Sequence, residues 1–250
     1  MSQNQKKIWI TGASSGIGKA VAEKFASEGW KVAVSARRKE LLDELAKNPN
    51  IKSFPLDVTN RSQINEVFKN IIEEFGDLDL CLFSSGTYEP KDEKSIDPDK
   101  IKHVMNVNFL GVIDCVKSVE NYFKNRKFGH ISIVSSIAGY RGLPNSSGYG
   151  PSKAALTNFT ESIYFDFKKF GIRVSVVSPG FIKTPLTDKN EFPMPFLKTS
   201  EYAAEKIFNG LVKGNAFEIH FPKGLTLTLK FLRILPYRLY LFLVDKLVKR

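Results

Sequence analysis

The sequence is poor in the residues that build covalent or metal-held frameworks. It has two cysteines, Cys81 and Cys115, and three histidines in 250 residues. Two thiols cannot staple a disulfide scaffold. No Cys-x-x-Cys pair occurs, so a structural zinc site is not expected, nor any other metal. Long apolar runs are missing as well. The start is polar, and the first apolar stretch breaks at Thr11-Gly12, too short for the core of a secretory signal. A reducing, cytoplasmic setting is therefore the expectation. No internal repeat or low-complexity segment is visible, and the composition excludes a collagen, a coiled coil or a disordered chain. What is present, 42% apolar and 25% charged residues over this length, suits one α/β domain covering residues 1–250.

The net charge of +11 is uneven. Residues 223–250 hold seven basic residues and one acidic, a net +6, which leaves +5 for the other 222. The basic character is mainly a C-terminal property. No finger, homeodomain or aromatic-rich RNA motif accompanies it, so nucleic acid is not an expected partner.

Short apolar runs alternate with amphipathic stretches. Strands are predicted at 8–11, 31–35, 51–56, 78–83, 130–135 and 173–177. Helices are predicted at 16–27, 39–46, 62–75, 99–123 and 152–170. Strands separated by helix-length segments imply βαβ units and a doubly wound parallel sheet of Rossmann type. Ligands of such sheets bind at the carboxyl ends of the strands.

The first of those ends reads Thr11-Gly12-Ala13-Ser14-Ser15-Gly16-Ile17-Gly18. A strand must turn sharply into a helix there, and backbone must approach a pyrophosphate without a Cβ in the way. The helix start offers free N–H groups to phosphates. Gly12, Ser14, Ser15, Gly16, Ile17 and Gly18 are the candidate phosphate cradle. After the second strand, where an NAD site commonly places a carboxylate, the chain reads Ser35-Ala36-Arg37-Arg38. Guanidinium groups suit a 2′-phosphate. NADP(H) is therefore expected over NAD(H), although one of the two arginines could serve only a solvated helix start.

Tyr149 and Lys153 stand four residues apart, on one face of a predicted helix start. An ammonium beside a phenol favours the phenolate and is expected to lower its pKa, making a general acid/base. Ser136, at the end of the fifth strand, is placed to donate to a carbonyl oxygen.

Taken together, these motifs resemble the short-chain dehydrogenase/reductase family, in its shorter single-domain branch. The resemblance runs from about residue 6 to residue 214. It implies that Tyr149 is the proton donor in carbonyl reduction, that Lys153 holds the nicotinamide ribose, and that Ser136 orients the carbonyl. It implies that Asn108 anchors a water in a proton relay, that Asp57 and Val58 contact the adenine, and that Gly86, Pro179, Gly180, Ile182 and Thr184 line the cofactor. It also implies a homodimer or homotetramer. One segment departs from the family pattern: Phe83-Ser84-Ser85-Gly86 stands where Asn-Asn-Ala-Gly is common.

Residues 181–200 carry Leu186, Phe192, Met194, Phe196 and Leu197 among prolines. They read as a lid with an apolar underside, favouring an apolar or acyl-type carbonyl. Residues 223–250 mix leucines and aromatics with cations as a helical extension. Its longest uncharged runs are far below the roughly 18 apolar residues of a spanning helix. It suits peripheral contact with an anionic membrane, or docking on a partner subunit. The functional expectation is hydride transfer between nicotinamide and a carbonyl or alcohol. The alternative is an NADPH-binding sensor without turnover.

Overall fold

The computed structural model describes residues 5–89 and 96–248. Seven strands form one parallel sheet: β1 (Lys7–Thr11), β2 (Lys31–Ser35), β3 (Ile51–Ser53), β4 (Leu80–Phe83), β5 (His130–Val134), β6 (Arg173–Pro179) and β7 (Glu218–Phe221). Their order is β3-β2-β1-β4-β5-β6-β7. The order reverses between β1 and β4, and the strand ends open a crevice at such a point.

The inner strands are buried on both faces, which is why they read as continuous Ile, Val, Leu and Cys rather than alternating polarity. Ile8 and Ile10 point to one face, where α1 (Gly16–Ser27), α2 (Lys39–Leu45) and α7 (Ser200–Phe208) cover them. Trp9 points to the other face and is fully buried. It packs with residues of α3 (Arg61–Phe75), α5 (Gly111–Arg126) and α6 (Tyr149–Lys168). The Trp9 indole N–H donates to Ser35 Oγ at 2.9 Å, so the largest core side chain leaves no polar atom unpaired.

The sheet and five of the predicted strand–helix alternations stand where the pattern placed them, with differences. The helix predicted at 99–123 is three pieces: α4 (Pro98–Met105), a π-turn (Asn106–Leu110) and α5. Asp97 caps α4 by accepting from the Asp99 and Lys100 N–H groups at 3.0 and 3.2 Å. β3 is three residues long, and α6 begins at Tyr149, not at 152. β7 escaped the sequence reading because it is four residues long, with polar Glu218 and His220 alternating with Ile219 and Phe221. Beyond it, Pro236 separates α8 (Lys223–Arg233) from α9 (Tyr237–Val248). Lys249 and Arg250 of the basic tail lie outside the described residues. No described helix is long and apolar enough to cross a membrane.

Candidate active site

A cleft of about 170 Å³ opens at the carboxyl ends of β1, β4, β5 and β6. The first βα turn forms one wall. Gly12 has φ +71°, and a Cβ there would sit 2.7 Å from the Ser84 carbonyl oxygen. The turn therefore lies directly on the backbone that follows β4, and only glycine allows this approach. Because the contact is with Ser84 and Ser85 backbone, the departure from Asn-Asn at these positions leaves the approach intact.

Ser15 is the N-cap residue of α1, yet its hydroxyl does not cap the helix. It accepts from Arg38 Nη2 at 2.8 Å. Arg38 also reaches Ser14 Oγ, through Nε at 3.2 Å and Nη2 at 2.8 Å. The first N–H groups of α1 are thus left without a side-chain acceptor at the floor of the cleft, with a cation arched over the same turn. That is the chemistry of an anion cradle. Gly12, Ser15, Gly16, Ile17 and Gly18 all line the cleft, whereas Ser14 and Arg38 do not and lie beside it, hydrogen-bonded to each other. Arg37 is exposed and acts on Asp57.

Asp57 and Val58 do not line the cleft. Burial pushes the Asp57 carboxyl up, but hydrogen bonds from the Thr59 N–H and hydroxyl, at 2.9 and 2.8 Å, and the Arg37 cation outweigh it, so the group lies below the usual carboxylate range. Val58 is a core residue. Its carbonyl would meet a Cβ on Gly111 at 2.7 Å, so it seats the start of α5.

The opposite wall carries Ser136, Tyr149 and Lys153. Ser136 caps a short 3-10 turn (Ile137–Gly139), accepting from the Ala138 N–H at 3.1 Å. Gly139 lets that turn rest on α6, since a Cβ there would meet the Lys153 backbone at 2.7 Å. The serine is held against the helix that carries the other two residues. Tyr149 packs edge-on against Tyr88 with ring centroids 5.1 Å apart. Lys153 is 4% exposed, donates to the Val134 carbonyl at 3.0 Å and lies 5.6 Å from the Tyr149 ring centroid.

The electrostatics correct one expectation. The spacing led to a lowered Tyr149 phenol. Here burial pushes it above its ordinary value, and its hydrogen bond with Ser136 offsets only part of this. Burial also brings the Lys153 pKa down to about 8, so the amine holds its proton weakly near neutrality.

The sequence decides the family once this geometry is in view. Residues 6–193 match the family described as short chain dehydrogenase. The chain belongs to that family. Related proteins agree in extent. An uncharacterized oxidoreductase from Myxococcus xanthus is 34% identical over 236 residues, 92% of this chain and 93% of its own. A 3-oxoacyl acyl-carrier-protein reductase from Thermotoga maritima is 35% identical over 189 residues, 74% of this chain and 77% of its own. Among solved structures, ElxO with NADP bound is similar at a TM-score of 0.76 and 29% identity, over 86% of this chain and 97% of its own.

In this short-chain dehydrogenase, Asn108 sits behind the cleft wall and is fully buried. Its Oδ1 accepts from the Thr87 N–H at 2.7 Å, and its Nδ2 donates to the Thr87 carbonyl and to Ser152 Oγ, both at 3.0 Å. Both amide protons are spent on protein partners, so the side chain braces the segment holding Gly86 and Tyr88. Gly86, Pro179, Gly180, Ile182 and Thr184 line the cleft. Thr184 projects toward the glycine turn, where a Cβ on Gly16 would meet its methyl at 2.9 Å.

The lid differs from its expected form. It is pinned at its neck by the Ile182–Lys198 bridge and across its span by Lys189 Nζ donating to the Tyr88 carbonyl at 3.0 Å. Leu186 lines the cleft with Pro185, but Phe192, Phe196 and Leu197 are exposed. Ser84, Val134, Ser135, Pro185 and Thr187 also line the cleft, although the sequence did not single them out as site residues. The first three flank strand ends already located. Thr187 had no sequence signal: its hydroxyl ties the loop by donating to the Ile182 carbonyl at 2.7 Å.

Proposed function

We propose that this oxidoreductase is NADP(H)-dependent and moves a hydride between nicotinamide and an apolar carbonyl or alcohol. The observation that carries the reading is the meeting of Ser136, Tyr149 and Lys153 with the glycine turn in a single cleft. The residues present fit the dinucleotide. The α1 N–H groups have no side-chain cap, and close backbone approach excludes a Cβ at Gly12. Gly12, Ser15, Gly16, Ile17 and Gly18 would take its pyrophosphate. Arg38, with Ser14 and Arg37, would take a 2′-phosphate, and Asp57 with Val58 the adenine side. Gly86, Lys153, Pro179, Gly180, Ile182 and Thr184 would take the nicotinamide half. ElxO, solved with NADP bound, supports the choice of dinucleotide.

When bound, the reduced dinucleotide supplies hydride to the carbonyl carbon. The protein's part is to place the carbonyl and manage its oxygen. Ser136 donates to that oxygen and steadies its developing negative charge. Tyr149, whose raised pKa keeps it protonated at neutral pH, gives its proton to the same oxygen. Lys153, with a pKa of about 8, lies close enough to return charge balance to the tyrosine. Asn108 acts as a positioning residue through Thr87. Leu186 gives the cleft an apolar lining residue, and Tyr88 packs on the Tyr149 ring beside it. The 3-oxoacyl reductase from Thermotoga maritima supports an acyl-type substrate.

Assembly as a homodimer or homotetramer belongs to the same proposal. Phe165 on α6 and Leu110 on the π-turn are large exposed apolar side chains that such an interface would cover. The reaction test is oxidation of NADPH and NADH, followed at the nicotinamide absorbance, over short and long carbonyl compounds. Turnover with NADPH on an apolar class is expected. A preference for NADH overturns the arginine selector. Tight NADPH binding without turnover on any class favours the sensor reading.

A further inference from the structure

The C-terminal helix pair is firmly anchored on one side and bare on the other. Leu232, Tyr240 and Val244 pack together with Leu229, Leu235 and Leu243. Arg141, in the loop between Ser136 and Tyr149, donates through Nη1 to the carbonyls of Leu232, Arg233 and Leu235 at 3.2, 3.0 and 2.7 Å. Its guanidinium lies 4.0 Å from the Tyr240 ring centroid, and the Tyr240 hydroxyl donates to the Gly142 carbonyl at 2.6 Å. The pair is therefore a fixed part of the fold.

Its outer side carries Leu227, Phe231, Ile234, Tyr237, Leu241 and Phe242, each between 54% and 78% exposed. The first three follow one helix face at i, i+4 and i+7. Monomeric soluble proteins rarely leave large apolar patches in water. Arg233, Arg238 and Lys246, with the single carboxylate Asp245, are exposed among these residues. The helices are 11 and 12 residues long, about 17 Å each, so they cannot span a hydrocarbon core of about 30 Å but can lie in its interface. The ring of Phe196 continues the face onto the lid, lying 3.3 Å from where a Cβ on Gly224 would be.

We infer that the outer face of α8 and α9 docks on an anionic lipid surface. Charge decides between the possible occupants. Two copies meeting through this face about a two-fold axis would set Arg233, Arg238 and Lys246 against an equally cationic face. Anionic headgroups neutralise the same cations, while Phe231, Ile234 and Tyr237 enter the acyl boundary. Membrane docking is independent of the reaction proposed above and stands or falls separately.

The test is sedimentation of the full chain with phosphatidylcholine vesicles and with vesicles that also contain phosphatidylglycerol. The chain is expected to pellet with the anionic vesicles, to stay in the supernatant with the neutral ones, and to be released by high salt. Two double variants probe the face, F231E/I234E and R233E/R238E. Each is expected to lower partitioning by about tenfold or more. Thermal unfolding of each variant reports on folding, and the single Ile234→Glu, at the most exposed of these positions, replaces any double variant that unfolds. Failure of the full chain to pellet with anionic vesicles overturns the inference, as does pelleting unchanged by the folded variants. A vesicle-inert protein whose dimer is dissociated by F231E/I234E assigns the face to a second copy and overturns it too.

Discussion

In the N-terminal βα units, Ile8, Ile10, Val21, Phe25, Val32 and Val34 are all fully buried, whereas beyond β7 the residues Phe231, Ile234 and Tyr237 stand in solvent on helices of equal regularity. The two regions spend apolar side chains differently. A strand in the middle of a parallel sheet has helices on both faces, so every apolar residue finds cover and every turn between elements is short. The C-terminal helices are covered on one side only, where α8 packs on α9 and on Ile137, Tyr140 and Phe181, and Arg141 holds their backbone. Chemistry is built where cover is complete, because a cleft with rigid walls holds its groups at fixed distances. The region where cover is incomplete is the one we infer to dock on a lipid surface.

The comparison breaks most visibly at the chemical step. Tyr149→Phe removes one hydroxyl from the rigid cleft. It is expected to lower kcat by about 10² to 10⁴-fold while dinucleotide affinity changes by no more than a few-fold. Single-turnover rates and fluorescence titration check this, and retained turnover removes Tyr149 from its role.

Next in size is the close approach at the glycine turn. Gly12 and Gly29 both have positive φ, +71° and +82°, but nothing lies within 4 Å of a Cβ on Gly29. Gly29→Ala is expected to cost about 1 kcal/mol of backbone strain alone. Gly12→Ala should cost more and also weaken dinucleotide binding, because its Cβ meets the Ser84 carbonyl. Equal melting temperatures for the two variants would show that the approach is not tight.

Arg38→Ala sharpens the selector. A charge-assisted hydrogen bond to phosphate is worth about 1.5–3 kcal/mol. The NADPH-to-NADH ratio of kcat/KM should therefore fall by about 10-fold to 150-fold. Arg37→Ala, at a side chain turned to Asp57, should move it less.

Two histidines compare the regions by pH. His130 in β5 is held down to about 3, first by burial and then by the Arg173 cation, and its Nε2 lies 2.8 Å from Ser175 Oγ. His220 in β7 is lowered by burial and by Lys230 and Lys223, but less deeply. Unfolded chains protonate histidine near 6.5, before folded His130 does, so its contribution to stability is present above about pH 6.5 and is lost as the pH falls toward 3. Imidazole NMR titration should show His220 charging while His130 stays neutral. Simultaneous titration would contradict the burial of β5.

The smallest effect distinguishes neighbours on α8. Phe231→Ala, at a position 61% exposed, should change unfolding stability by no more than about 0.5 kcal/mol. Leu232→Ala, at 8% exposure against Tyr240 and Val244, should cost about 2 kcal/mol or more in the melting of the C-terminal pair.

The sheet was legible because its signals are local. Val-rich runs, glycine stops and 3.6-residue periodicity each lie within a dozen residues, and they located six of the seven strands. The glycine turn and the Tyr149–Lys153 spacing were legible for the same reason. β7 was not, since four residues of mixed polarity become a strand only through pairing with β6. The break of the central helix at the π-turn was hidden too. It lies where Gly111 closes on the Val58 carbonyl and the buried Asn108 amide grips the Thr87 backbone. The partial exposure of Phe192 and Phe196 in residues 181–200 was equally hidden, because composition tells that a loop is apolar but not how its side chains pack.

By itself the sequence determined most of the element types, the family, and the glycine turn with Ser136, Tyr149 and Lys153 that meet at the cleft, because short-range sterics and hydrophobic periodicity are written into neighbouring residues. The tertiary structure decided the energetics of those residues. Burial, which no spacing reveals, raised the Tyr149 phenol and brought Lys153 down to about 8. Long-range packing, through one arginine 91 to 94 residues away from the carbonyls it holds, decided that the C-terminal helices stand fixed with their apolar side outward.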